Sequence, residues 1–181
     1  LGFYGNDQVQ YSESDTAVVN ITIDGTNNRI DFKEILSGKE GTDVDGLTAV
    51  VAQKTYTSHS QLALEVEKAL EAESYQKGNR IDYSVTWDDH TRKFTIKENG
   101  TSLARLDLLW QTGENAPLAA GGNGQSIGTV LGFDAADDTG APVKSSRAVE
   151  WGVFNTLVDL NGYLDHNDTS GIERTLGRLE A

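Results

Sequence analysis

Apolar and polar residues alternate with a period of two through Val19, Ile21 and Ile23, and the alternation resumes at Ile30 and Phe32. Between these runs, Asp24-Gly25 and Thr26-Asn27-Asn28 supply turn chemistry, because Gly and Asn adopt positive φ at little cost. Residues 18–33 therefore predict a hairpin. The Gly- and Asp-bearing stretch 37–48 predicts a loop. Over residues 57–74 the period changes, and Leu62, Val66, Ala69 and Leu70 fall on one face of a helix. Ser58 with Gln61 three positions later makes a capping box, Glu71 and Glu73 lie on the solvent side, and Gly78-Asn79 ends the element.

A second hairpin follows: Ile81, Tyr83, Val85 and Trp87 alternate outward, Asp88-Asp89-His90-Thr91 turns the chain, and Phe94 and Ile96 alternate back. Residues 103–110 form a further strand with Leu106 and Leu108 on one face. Gly121-Gly122-Asn123-Gly124 reads as a flexible linker or loop, and Ile127, Val130, Leu131 and Phe133 as the cluster that closes the core. Two hairpins around one helix compose a β-β-α-β-β unit, which places the chain in the α+β class.

The tail has a different pattern. From Ser146 onward, Val149, Val153, Leu157, Leu160 and Leu164 recur at helical spacing in one narrow stripe, with Trp151, Phe154 and Val158 as a second apolar flank. The eleven-residue intervals Val149 to Leu160 and Val153 to Leu164 favour nearly straight or slightly right-handed pairing. A helix apolar on two faces must be covered on two sides. This predicts a long C-terminal helix from a bundle whose partner helices are missing. The implied organisation is an extended lead-in over 1–16, an outward α+β domain over 17–142 and a returning helical segment over 143–181.

Charge narrows the function. With 28 acidic and 15 basic residues the net charge is −13, which opposes binding to phosphate backbones and to anionic membranes. No run approaches the length of a membrane helix. The absence of cysteine excludes disulfides, thiolate zinc sites and a cysteine nucleophile. The chain starts Leu1-Gly2-Phe3-Tyr4 and contains no methionine, which predicts an excerpt or a processed product.

Candidate chemistry is sparse. Asp138-Thr139-Gly140 matches the short aspartic-protease signature, but that mechanism needs two facing carboxylates and no second such tripeptide exists, so an acidic turn is expected. His59, His90 and His166 share no ligand spacing and read as surface residues. Asp43, Asp45 and Gly46, and also Asp134, Asp137 and Asp138, could hold calcium, yet neither run has the distal bidentate Glu of an EF-hand. Gly121-Gly122-Asn123-Gly124 lacks the Lys-Ser/Thr of a phosphate-binding loop. Trp87 is in phase with Tyr83 and Val85, so core packing is expected rather than a sugar platform. No catalytic residue, cofactor or metal is assigned.

The tail Val153-Phe154-Asn155-Thr156-Leu157, continued by Asn167-Asp168-Thr169-Ser170-Gly171-Ile172 and Leu176-Gly177-Arg178-Leu179, resembles the return helix of the bacterial flagellin-like family, in particular its hook-associated, hook-filament junction members. Asn20-Ile21-Thr22-Ile23-Asp24-Gly25, the Tyr56 to Leu70 helix pattern and Val130-Leu131-Gly132-Phe133 resemble an insert found in the same family. The resemblance covers most of residues 17–181. It implies a secreted, extracellular structural protein of the flagellum, not an enzyme, that self-associates with neighbouring subunits and contacts flagellin and other hook-associated proteins, without nucleic acid or membrane. Its N-terminal coiled-coil helices and final C-terminal helix are absent from the sequence. The residues it assigns to assembly are Val149, Val153, Phe154, Leu157, Leu160 and Leu164. A flagellin filament subunit is the alternative within this class, and an acidic calcium-binding adhesin module the alternative outside it.

Overall fold

The computed structural model describes residues 20–41, 44–149 and 164. In chain order these form β1 (Ile21–Ile23), β2 (Arg29–Leu36), β3 (Leu47–Val50), β4 (Lys54–Tyr56), α1 (His59–Lys77), β5 (Tyr83–Asp88), β6 (Lys93–Glu98), β7 (Leu103–Leu108) and β8 (Lys144–Ser145). The strands pair antiparallel as a β1-β4 ribbon and two three-stranded sheets, β3-β2-β7 and β5-β6-β8. The architecture is α+β.

Helix α1 forms where the apolar period predicts it. The Ser58 hydroxyl accepts the Gln61 N–H at 3.2 Å, and the Gln61 side chain reaches back to the Thr57 N–H at 3.1 Å. These bonds satisfy donors that the first helical turn leaves free. Gly78 closes the helix at φ 84°, donating to the Tyr75 carbonyl, a left-handed conformation in which a Cβ is strained. Leu62, Ala63, Val66, Ala69 and Leu70 are buried against the sheets.

The expected hairpin over 18–33 is not formed between its own two strands. β1 pairs with β4, Ile21 opposite Tyr56, while β2 lies between β3 and β7. Residues 24–27 make a side-chain-stabilised corner instead. Asp24 accepts from Thr26 N–H at 2.8 Å and from the Thr26 hydroxyl, and Asn27 bonds the Asp24 N–H and the Thr22 carbonyl. Beyond the corner, Arg29 exchanges backbone hydrogen bonds with Gln125 and Ile127, which occupy the place a hairpin partner would take. The β5–β6 hairpin does form, in the register Tyr83 to Glu98 and Trp87 to Phe94.

One apolar core joins α1 to the sheets and includes Ile127, Leu131 and Phe133, with Val130 packed against it. Residues 121–124 are a loop, but a closely packed one. Gly124 N–H bonds the Ala116 carbonyl at 2.8 Å, Asn123 N–H bonds the Glu114 carbonyl at 2.9 Å, and a Cβ on Gly122 would meet the Ala116 oxygen at 2.3 Å.

Candidate functional site

A series of contacts runs between the two ends of the described stretch 20–149. β1 begins beside Tyr56, two residues before the cap of α1. The first helical residue, His59, stacks on Trp87 at 4.0 Å and 13°, and meets the Phe94 edge at 5.9 Å. Trp87 and Phe94 are a cross-strand pair flanking the β5–β6 turn. Val149, at the other end of the described segment, donates its N–H to the Arg92 carbonyl in that same turn at 2.9 Å. A short chain of contacts therefore links residue 20 to residue 149.

Sequence periodicity expected a helix from Ser146. Residues 146–149 are not helical. Ser146 N–H bonds the Phe94 carbonyl at 2.9 Å, the Ser146 hydroxyl accepts the Phe94 N–H, and Arg147 N–H bonds the Gly132 carbonyl. Together with β8 these residues stay hydrogen-bonded to the β6 side of the fold, which therefore runs past residue 142 to Val149. Val149 packs against the domain core; its backbone hydrogen bond belongs to the β6 side of the sheet and not to a helical turn. Leu164 is helical and 54% exposed. Val153, Phe154, Leu157 and Leu160, and the lead-in over 1–16, lie outside the described residues.

His59 is not a surface residue. It is buried, and burial pushes its pKa down to about 4 against a smaller opposing pull from Asp89. Trp87 is half-buried against the core and donates its indole N–H to Asp89 at 2.6 Å. His90 is exposed in the turn, and His166 lies outside the described residues.

The acidic run Asp134, Asp137 and Asp138 bonds to the protein itself. Asp137 accepts from Gln111 N–H, Thr112 N–H and the Thr112 hydroxyl, at 2.6 to 3.1 Å. Asp134 pairs with Arg147 at 2.7 Å. Asp138 pairs with the buried Lys144 ammonium at 3.0 Å, and its backbone bridges Leu108. Asp43 lies outside the described residues, among which no group of three His, Asp or Glu side chains converges for a metal. None of those described residues forms a helix long and apolar enough to cross a membrane.

Two buried carboxylates on β2 escaped the sequence reading. Asp31 accepts from the Thr48 hydroxyl at 2.7 Å and from Asn115 twice, at 2.6 and 2.8 Å. Glu34 accepts from Tyr83 hydroxyl, Ser74 hydroxyl and Asn79 amide, at 2.7 to 3.1 Å. Each binds a loop or helix end to the central strand, and saturated acceptors of this kind position structure. No known protein family matches the chain, and no curated protein does.

Proposed function

We propose that the chain is a structural subunit of the bacterial flagellum, of the hook-associated protein 3 type that joins hook to filament. The single observation that carries this is the series of contacts between the two ends. A domain inserted into a helical bundle receives and returns its chain at one end, a common pole, and the contacts that run from residue 20 to residue 149 through the β1–β4 ribbon, the His59–Trp87–Phe94 stack and the Arg92–Val149 bond support that reading.

In this reading residues 150–181 return into an inner bundle. Val153, Phe154, Leu157, Leu160 and Leu164 supply its apolar stripe, covered by helices of the same and neighbouring subunits, and Val149 is the last residue anchored to the outward domain. In the same reading the strands of residues 18–33, α1 and the β5–β6 hairpin make up a β-β-α-β-β unit, although β1 and β2 pair with β4 and β3 rather than with each other. The outward domain is exported and works outside the cell, and the chain's net charge of −13 keeps neighbouring copies from adhering along their faces. The partners are further copies of itself, flagellin and other hook-associated proteins. The work is mechanical rather than catalytic.

Immunogold electron microscopy of cells that make the protein tests this, with antibodies raised against the chain. Gold confined to the hook-filament junction is the expected result. Gold along the whole filament selects the flagellin alternative, and gold on the cell surface away from flagella overturns the reading in favour of an adhesin.

A further inference from the structure

Basic residues concentrate on β6 and β8. Residues 90–97 hold Arg92, Lys93 and Lys97, residues 139–149 hold Lys144 and Arg147, and neither stretch contains an acidic residue, in a chain whose net charge is −13. Tyr83, Val85, Phe94, Ile96 and Lys144 of the β5-β6-β8 sheet are buried on its inner face. Because side chains alternate along a strand, Thr86, Lys93, Thr95, Lys97 and Ser145 share the opposite face. There Thr86, Lys93, Lys97 and Ser145 are exposed, and Thr95 is half-buried.

The acidic groups beside this face are engaged by the protein. Asp88, opposite Lys93 in the hairpin register, accepts the His90 and Thr91 N–H groups at 2.8 and 3.1 Å. Asp134 pairs with Arg147 at 2.7 Å, and Asp138 with the buried Lys144. Lys93 and Lys97 make no ion pair among the described residues. Lys93, Lys97 and Arg147 against Asp88 and Asp134 leave the face positive. Four strand residues span about 13.6 Å, which separates the two lysines along β6. Between them the Thr95 and Ser145 hydroxyls lie 3.3 Å apart.

A positive strip on an acidic protein is complementary to an anion, and its small extent decides which kind. A nucleic acid or a second copy of the chain brings negative charge far beyond the strip, where the acidic remainder of the surface repels it. A short segment with few carboxylates meets only the strip. In an extended peptide, residues four apart lie on one side at the same spacing of about 13.6 Å, so carboxylates at those positions match Lys93 and Lys97. A small polar residue midway between them reaches the Thr95 and Ser145 hydroxyls. We propose that the open face of the β5-β6-β8 sheet binds an extended acidic peptide segment of a partner protein, Lys93 and Lys97 taking carboxylates four residues apart.

The site goes beyond the flagellar reading and stands or falls without it. The full chain, isotopically labelled, is titrated with the peptide Glu-Ser-Thr-Ser-Glu and followed by the shifts of its amide resonances. Saturable shifts centred on residues 93–97 and Ser145 at millimolar peptide are the expected result, weakened by added salt because exposed charge pairs are screened. Lys93→Gln combined with Lys97→Gln is expected to lower the affinity about fivefold. Lys68→Gln with Lys77→Gln removes the same charge from exposed positions of α1 and is expected to leave it unchanged. The site is overturned by an absence of shifts, by equal losses in the two double variants, or by an equal response to Glu-Glu-Ser-Thr-Ser. Equal shifts with inorganic polyphosphate overturn it in favour of a general anion site. Shifts of the same residues with protein concentration alone overturn it in favour of a second copy.

Discussion

The Tyr83 hydroxyl donates to Glu34 Oε1 at 2.7 Å, tying β5 to the central strand β2 in the interior. The other carboxylate oxygen takes Asn79 Nδ2 at 2.7 Å and the Ser74 hydroxyl at 3.1 Å, so strand, helix end and following turn meet on one side chain. Burial, with the Glu34 charge second, pushes the Tyr83 phenol far above its ordinary range. Tyr83→Phe leaves a buried carboxylate short of one donor and is expected to lower the unfolding free energy by about 1–3 kcal/mol. Urea denaturation followed by circular dichroism reads the change, with the exposed Tyr75→Phe expected to stay within about 0.5 kcal/mol of the parent.

Glu67 and Glu71 of α1 accept the backbone N–H groups of Val85 and Tyr83, at 2.9 and 3.1 Å. Four helical residues rise about 6 Å and two strand residues span about 6.8 Å, so an i, i+4 pair of carboxylates matches alternate amides on the open edge of β5. Such an edge would otherwise template further pairing. Burial, together with the nearby Asp82 and Glu67, holds the Glu71 carboxyl above its usual range. A raised folded pKa means that stability falls as pH rises through it. Glu71→Gln removes that penalty and keeps a carbonyl acceptor for Tyr83. The variant is expected to melt about 1–2 °C higher at pH 7 and at the parental temperature at pH 3.5, as scanning calorimetry would show.

His59 carries a pH dependence of the opposite sign. Its folded pKa of about 4 lies below the ordinary value of 6.5, so the unfolded chain binds the extra proton between those limits. Stability is full above about pH 6.5 and declines as pH falls towards 4. His59→Phe retains an aromatic partner for Trp87 without the titrating nitrogen. Its melting temperature is expected to fall less than the parent's between pH 7 and pH 4.5.

Gly122 and Gly46 give opposite results with the same substitution. A Cβ at Gly122 would stand 2.3 Å from a backbone oxygen, whereas at Gly46 nothing lies within 4 Å. Gly122→Ala is expected to destabilise by about 1–3 kcal/mol, because close-packed backbone resists displacement. Gly46→Ala should remain within about 0.5 kcal/mol of the parent, both read by denaturant titration.

Local signals were legible in the sequence where a single element determined them. The α1 stripe with Ser58 and Gly78, the β5–β6 hairpin, and the Ile127 to Phe133 cluster all follow from spacing and turn chemistry. Pairing over distance was not legible. Ile21 and Ile23 alternate as well for β4 as for β2, and only the Asp24–Asn27 corner and the 125–127 segment decide between them. Lys54–Tyr56 and Lys144–Ser145 are too short to show a period, so β4 and β8 were invisible. His59, Asp31 and Glu34 have polar side chains whose burial depends on partners 17 or more residues away. Val149 fits a helical stripe and a sheet extension equally well, and the free backbone of β6 decides for the sheet.

The common pole is tested most directly by the distance between residues 20 and 148. Spin labels on Asn20→Cys and Ala148→Cys in the full, otherwise cysteine-free chain report it by double electron–electron resonance. A domain of this size is about 35–40 Å across. The one-pole arrangement predicts a narrow distribution centred below about 25 Å, well inside that diameter. A distribution centred near the full diameter would put the two crossings at opposite ends and contradict the inserted, outward-facing domain.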